Sequence, residues 1–164
     1  MYSKRVMELM NEQIKHELYS AYLYLSMSAY FEGESLPGFA HWMRVQAAEE
    51  QEHAMKFYDF IYERGGRVVL QAIDQPPAEF ESLREVFKQT LEHEKKVTGL
   101  IEAMYTAAVE DKDYASQTFL NWFIDEQVEE EKNATDLLET LRMVGDKGSA
   151  LIMLDRELGR RTGE

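Results

Sequence analysis

Four long stretches of this chain carry apolar residues at steps of three and four, and no proline interrupts them. This spacing is typical of amphipathic α-helices, whereas interior proline would break them. The predicted long helices span residues 4–31, 37–64, 82–110 and 113–144, and a short helix follows at 149–158. Because steps of three and four also form the seam of a coiled coil, we expect the long helices to pack as a bundle of nearly parallel or antiparallel rods.

The lengths of the connections predict how the helices are arranged. About five residues join the first helix to the second and the third to the fourth, so each pair is expected to be antiparallel. Residues 66–81 can reach about 50 Å when extended, which exceeds the roughly 40 Å of a helix of this length. We therefore predict an all-α four-helix bundle in one domain, 1–164, with a single long crossover between helices two and three. Within the crossover, residues 67–70 have a β-like composition.

Polar residues interrupt each apolar stripe near its middle. On the second helix the apolar series continues onto Gln46, Glu50 and His53. Glu50 and His53 are three residues apart, so both side chains project from one helix face. The interruptions on the first, third and fourth helices are Glu17, Glu94, Gln127 and Glu130. Mid-helix positions lie at similar heights in a bundle, so these groups are expected to meet inside it.

Carboxylates that meet in an apolar interior need a compensating charge. Burying them unpaired is costly, and each raises the pKa of its neighbours. Bound cations would offset the negative charge, and mixed carboxylate and imidazole ligation suits iron, manganese or zinc. Such a set could hold two metals with Glu50 as the bridge. A polar layer that fixes the helix register is the alternative interpretation, but interruptions at matched heights on four helices favour metal.

Composition excludes several classes of function. The net charge of −13 argues against a nucleic-acid surface and would attract cations, although solubility explains it equally well. No apolar run approaches the roughly 20 residues of a membrane span, and the N-terminus leads directly into the first amphipathic stretch, so no signal peptide is expected. The chain has no cysteine. These features fit a cytoplasmic protein with neither a nucleic-acid nor a membrane partner.

Four segments resemble the bacterial non-haem ferritins. They are ELYSAYLYLSM at 17–27, GFAHWM at 38–43, ERGGRV at 63–68 and EQVEEE at 126–131. The resemblance covers nearly the whole chain and implies a ferritin-like bundle with a short fifth helix. It also implies a cage of twenty-four identical subunits that acts as a ferroxidase, oxidising Fe(II) with oxygen or peroxide and storing ferric mineral inside.

The resemblance assigns roles to individual positions. The expected ligands of the first two iron sites are Glu17, Glu50, His53, Glu94 and, for the second site, Glu130. Gln127 matches a hydrogen-bonding residue beside the iron pair. The residues that match a third iron site are Glu49, Glu126, Glu129 and Glu130. Tyr24 matches a tyrosine that donates an electron; a buried aromatic residue with a hydrogen-bonded hydroxyl is an equal interpretation of its position.

Departures from related families narrow the assignment. Gln127-x-x-Glu130 stands where bacterioferritins and diiron oxygenases have a second E-x-x-H, and Gln51 stands where bacterioferritins have their haem-binding methionine. We therefore expect no haem. His16 and His93 are expected at the surface, because neighbours on a helix point about 100° apart. Trp122 is expected to pack in the core or an interface.

The remaining expectations concern assembly and the competing functions. The short helix at 149–158 is too short to stand alone, so its apolar residues Leu151, Ile152 and Leu154 are expected to pack in a subunit interface. One alternative function is a diiron or dimanganese oxidase or peroxidase that acts on a small substrate. Another is a helical protein that binds metal without catalysis. Neither accounts for the crossover, the terminal helix and the third set of glutamates together.

Overall fold

The computed structural model describes residues 3–163, which form five α-helices. They are α1 (Lys4–Gly33), α2 (Pro37–Glu63), α3 (Leu83–Glu110), α4 (Tyr114–Val144) and α5 (Ser149–Leu158). Side chains cap three of them: Ser3, Ser82 and Asp113 accept hydrogen bonds from the backbone N–H groups of Val6, Glu85 and Ser116. These caps satisfy donors that the first turn of a helix leaves unpaired.

The four long helices form a bundle with one long crossover, as the loop lengths predict. α1 and α2 are antiparallel because only residues 34–36 separate them. Ser3, before α1, bonds Asp111 at the end of α3, and Ser20 in α1 bonds His93 further back in α3. α3 therefore also runs opposite to α1, which makes α2 and α3 parallel.

The crossover lies along the outside of α1. Asn11 donates to the carbonyl of Arg67 and accepts from the backbone N–H of Val69, at 3.0 and 2.8 Å. Further along, Ser26 donates to the carbonyl of Pro77. Residues 11 and 26 are about 22 Å apart on a helix, so these bonds fasten the crossover along about half the length of α1.

Residues 67–70 do not form the strand that their composition suggests. They are extended, and no strand is present anywhere in residues 3–163. Val69 uses its backbone N–H on the Asn11 side chain, and Val69 and Leu70 are exposed. A strand needs a partner ladder, and here the helix surface offers only side chains.

The core consists of two apolar clusters at opposite ends of the bundle. One includes Phe31, Phe39 and Phe87. The other includes Phe57 and Phe123, whose rings stack with centroids 4.2 Å apart. Between the two clusters lies a layer of buried polar side chains from all four long helices. This layer contains the polar interruptions that the sequence places in mid-helix.

The fifth helix packs across one end of its own bundle. The Asp155 carboxylate accepts from the Phe39 backbone N–H at 2.9 Å, and Leu151 and Leu158 join the apolar cluster of α2. The expectation that Leu151 packs in a subunit interface is therefore wrong, because the end of the bundle supplies its apolar surface. Ile152 remains 53% exposed.

No helix in the described part of the chain is long and apolar enough to cross a membrane.

Candidate metal centre

Six acidic and imidazole side chains meet in the polar layer between the two apolar clusters. All are buried: Glu17 from α1, Glu50 and His53 from α2, Glu94 from α3, and Glu126 and Glu130 from α4. Their ligand atoms form three overlapping groups, each within 4.8 Å: Glu17, Glu50 and His53; Glu50, Glu94 and Glu130; His53, Glu126 and Glu130. Glu50, His53 and Glu130 each belong to two groups, and Glu50 is the carboxylate that the first two groups share.

Two atoms in this layer lack the partner that burial normally demands. Neither the Glu17 Oε2 atom nor the His53 Nδ1 atom has a hydrogen-bond partner. They lie 3.9 Å apart, and His53 Nδ1 is 3.3 Å from Glu50 Oε2. An unsatisfied buried polar atom costs about 1–3 kcal/mol. A cation bound by all three groups would satisfy them together, so these residues fit a metal ion.

The electrostatics of the layer lead to the same inference. Burial, followed by the charge of Glu50, raises the pKa of Glu17 well above its usual value, and burial with the charge of Glu94 does the same for Glu50. Burial raises the pKa of Glu94 to about 7, against the opposing hydrogen bond from Tyr24. Burial and the charges of Glu94 and Glu50 raise the pKa of Glu130 to about 11. Without a cation, Glu130 therefore keeps its proton at neutral pH and Glu94 is about half protonated.

Three glutamines orient the carboxylates. Gln127 donates to the side chain of Glu94 at 3.1 Å and to its backbone carbonyl at 3.2 Å. Gln13 donates to Glu17 at 3.0 Å. Gln46 donates to Glu50 and to Glu130, at 3.0 and 2.7 Å, and so joins α2 to α4.

Neither glutamine was predicted to orient a carboxylate: Gln13 had no predicted role, and Gln46 was only placed on the stripe of the second helix. The signal was present in their spacing. Each lies four residues before an acid on the same helix face, which is the distance at which an amide and a carboxylate meet.

Tyr24 is completely buried and its hydroxyl donates to Glu94 Oε1. Burial, then the charge of Glu94, raises the pKa of the phenol well above its usual value. The hydroxyl therefore stays protonated and satisfies one Glu94 oxygen. The contact with Glu94 fits the interpretation of Tyr24 as a buried aromatic residue with a hydrogen-bonded hydroxyl. It also places the ring beside the candidate metal centre.

Comparison with known proteins agrees with this geometry. A family model for the ferritin-like domain matches residues 7–144. The chain belongs to this family. A bacterial non-heme ferritin of Staphylococcus aureus is 41% identical over 162 residues, covering 99% of this chain and 98% of that protein. A probable bacterial non-heme ferritin-like protein of Haemophilus influenzae is 40% identical over 159 residues, covering 97% and 96%.

Solved ferritin structures share the fold over the whole chain. An open-pore ferritin from the hyperthermophilic archaeon Archaeoglobus fulgidus is 48% identical, with a TM-score of 0.97 and 99% of each chain covered. An engineered closed form of the A. fulgidus ferritin also has a TM-score of 0.97, at 48% identity and with 100% of both chains covered. The predicted four-helix bundle with a short fifth helix is thus confirmed as the ferritin fold.

The residues of the predicted third iron site differ in burial and in their contacts. Glu126 Oε1 lies 3.8 Å from His53 Nε2. Glu49 is buried, but its Oε2 atom is 2.9 Å from the Arg161 guanidinium. Glu129 is exposed on α4 and belongs to none of the three groups of ligand atoms. Its neighbour Glu130 takes the inward position, since adjacent residues diverge by about 100°.

Trp122 and His93 both lie close to the candidate metal centre. Trp122 packs edge-on against His53, with ring centroids 5.3 Å apart, and is 38% exposed. The expectation of a surface position for His93 is wrong. The His93 side chain of α3 is partly buried against α1, with Nε2 2.7 Å from the Ser20 hydroxyl, and burial lowers its pKa to about 4. The close packing of α1 on α3 covers a ring that helix geometry alone directs outward. His16 is also only partly exposed.

Proposed function

We propose that this chain is a ferritin subunit that oxidises Fe(II) at a pair of metal positions inside its own bundle and delivers Fe(III) to a stored mineral. The observation that carries the proposal is the convergence of buried ligand atoms from all four long helices, including two without hydrogen-bond partners. Iron is the substrate and cargo of this reaction. The A. fulgidus relatives are ferritins by name, and a bacterial non-heme ferritin matches nearly the full length of the chain.

The three groups of ligand atoms suggest how two ions would be held. Glu17, Glu50 and His53 supply the first position, and Glu50, Glu94 and Glu130 supply the second. Glu50 bridges them. Carboxylates are hard anionic ligands that stabilise Fe(III) over Fe(II), so they favour loss of one electron from each ion. The pair then supplies two electrons, which together with two protons reduce oxygen to hydrogen peroxide or hydrogen peroxide to water.

The surrounding residues hold the carboxylates and handle protons. The amides of Gln46 and Gln127 fix the orientation of Glu50, Glu130 and Glu94. Carboxyl groups whose pKa is raised must lose their protons to bind a cation, so iron uptake releases protons. Tyr24, beside Glu94, is a candidate electron donor when oxygen is reduced further. The third iron site of Glu49, Glu126, Glu129 and Glu130 stays a prediction.

Assembly into a homo-oligomeric cage, of twenty-four subunits by family resemblance, is part of the proposal. Exposed apolar side chains on α1, such as Tyr22 and Leu25, line a cavity with Ala47 and Ala48 of α2. Such a surface suits burial against a second copy. A cytoplasmic location and the absence of haem also remain proposals.

The test is aerobic Fe(II) titration followed by stopped-flow absorbance, with iron content and size exclusion measured on the same samples. Glu17→Ala and His53→Ala should lower the initial oxidation rate by at least about 100-fold, because changes even in outer-shell partners cost 10–100-fold at metal sites. Glu52→Ala is the control, since Glu52 is exposed on the same helix.

Three results would refute the proposal. Oxidation at the wild-type rate in both ligand variants would show that the centre is not where iron reacts. Rapid turnover without iron accumulation in the wild-type protein would favour an oxidase or peroxidase with a small substrate. Binding of iron without faster oxidation would favour a non-catalytic metal-binding protein.

A further inference from the structure

The tail after α5 places one cationic side chain beside the metal centre. The Arg161 guanidinium lies over the Trp42 ring, 4.2 Å from its centroid, and Nη1 donates to the Trp42 carbonyl at 3.2 Å. The backbone carbonyl of Arg161 accepts from His41 Nε2 at 2.7 Å. The side chain is only 17% exposed. Arg161 is therefore held in one place from both ends.

The inner edge of the guanidinium contacts two residues of α2. Its Nη2 atom is 2.9 Å from Glu49 Oε2 and 2.9 Å from Gln46 Oε1. Arginine can only donate, so the Gln46 oxygen must face it. The Gln46 nitrogen is then directed at Glu50 Oε1 and Glu130 Oε2. Arg161 thus acts through one amide on two of the proposed metal ligands.

Arg161 also supplies the positive charge that a buried Glu49 requires. Glu49 is 7% exposed, and breaking a buried ion pair by removing one partner is strongly destabilising. The fork of a guanidinium suits a carboxylate and a neighbouring acceptor at once. Arg161 therefore compensates Glu49, the residue of the predicted third iron site that is adjacent to Glu50 in sequence.

Beyond Arg161 the surface opens. A cavity of about 300 Å³ is lined by Trp42, Glu49, Asn133, Asp136 and Arg161. Arg161 lies between this cavity and Gln46, whose amide reaches the metal centre. Glu49 and Arg161 line this cavity together, so a cation that enters it meets the Glu49 carboxylate already paired with the guanidinium.

We propose that Arg161 closes the Glu49 side of the metal centre. It holds Glu49 as an ion pair and orients Gln46, so a metal ion takes the Glu49 position only by displacing the guanidinium. Arg161 is a positioning residue and does not itself touch the reacting ions. The inference rests on the proposed function, because it assumes that the adjacent carboxylates bind metal.

The test counts Co(II) ions bound to metal-free, full-length protein by equilibrium dialysis, with visible absorption to report their ligands. Arg161→Gln should bind one equivalent per chain more than the wild type, because the freed Glu49 needs a cation. Arg161→Lys keeps the charge and should retain the wild-type number. Arg160→Gln is the matched control, since Arg160 is exposed and pairs only with Glu157 among the contacts described. The double variant Arg161→Gln, Glu49→Gln should lose the extra equivalent.

Two results would overturn the inference. Arg161→Gln could bind the same number of ions as the wild type with the same affinity. Alternatively, Glu49→Gln alone could bind one equivalent fewer, which would show that Glu49 already binds metal despite Arg161; this arm decides the question if the Arg161→Gln protein fails to fold. Failure of the proposed function looks different: the wild type itself would bind no Co(II), or Glu17→Ala and His53→Ala would bind as many ions as the wild type.

Discussion

Glu49 and Glu50 are adjacent residues of α2, and the protein compensates their burial in different ways. Glu50 faces Glu17, Glu94 and Glu130 with no fixed cation among them, and its pKa rises well above the usual value because of burial and the charge of Glu94. Glu49 points about 100° away and meets the Arg161 guanidinium at 2.9 Å. Burial of an acid therefore does not by itself mark a candidate metal ligand, because an acid such as Glu49 can be compensated by a cation of the protein.

We call Glu50 with its acidic neighbours the Glu50 side, and Glu49 with Arg161 the Glu49 side. The largest expected difference between them is in how they make the stability of the folded protein depend on pH. The pKa values of Glu94 and Glu130 in the folded protein, about 7 and about 11, exceed the usual 4.5. The folded state then binds more protons than the unfolded state, so this stability is complete below the usual pKa and is lost as pH rises. Each such group contributes a slope of about 1.4 kcal/mol per pH unit.

The free energy of unfolding of metal-free protein should thus fall by a few kcal/mol between pH 5 and pH 8. Urea unfolding at each pH measures it. Glu130→Gln should flatten the curve, because glutamine does not titrate. A metal-free protein whose stability is constant or rises over this range would contradict the electrostatic description of the Glu50 side.

A pair of amide substitutions should change stability in opposite directions. In metal-free protein at pH 8, Glu50→Gln removes an acid from an uncompensated cluster and should raise the melting temperature. Glu49→Gln leaves Arg161 without its carboxylate and should cost up to about 3 kcal/mol, the lower end of the range for a broken buried pair because Arg161 keeps some exposure. Differential scanning calorimetry measures both. Shifts of the same sign would remove the distinction between the two acids.

The smallest expected effect concerns the helix that carries Arg161 into place. A Cβ atom on Gly38 would lie 1.6 Å from the Asp155 carbonyl oxygen. Gly38→Ala should therefore displace α5 at a cost of about 1–3 kcal/mol, as overpacking does, and should loosen the Glu49 side while the Glu50 side still binds metal.

Gly99→Ala is the matched control for that substitution. Apart from its chain neighbours and the adjacent backbone of α3, nothing lies within 4 Å of the methyl group that alanine would add at Gly99, and alanine should slightly stabilise α3 there. Thermal unfolding and Co(II) binding measure both variants. Loss of all Co(II) binding in Gly38→Ala would show that the two sides are not separable.

Helical periodicity explains why so much of the bundle was predictable. Steps of three and four assign a face to each residue, so Glu17, Glu50, Glu94 and Glu130 were expected to point inward, and the structure gathers them. The length of the 66–81 connection required a crossover. Glu129 was assigned to a site by family resemblance and not by helical periodicity, and its side chain is exposed.

Contacts between distant segments escaped the sequence analysis. His93 is covered because α1 packs closely on α3, and Leu151 is buried because the bundle end accepts it. The residues next to His93 and Leu151 in sequence do not indicate this burial, since it depends on which other helix packs against each side chain.

The chain's own residue order determined the helices, their inward faces, the crossover and the level at which the acids meet, because each follows from spacing along a rod of known pitch. Only the tertiary structure decided which buried acid has a protein cation. Arg161 is 112 residues from Glu49 and 115 from Gln46. No periodicity connects an irregular tail to a helix so far away, so that pairing arises only when α5 docks on the bundle.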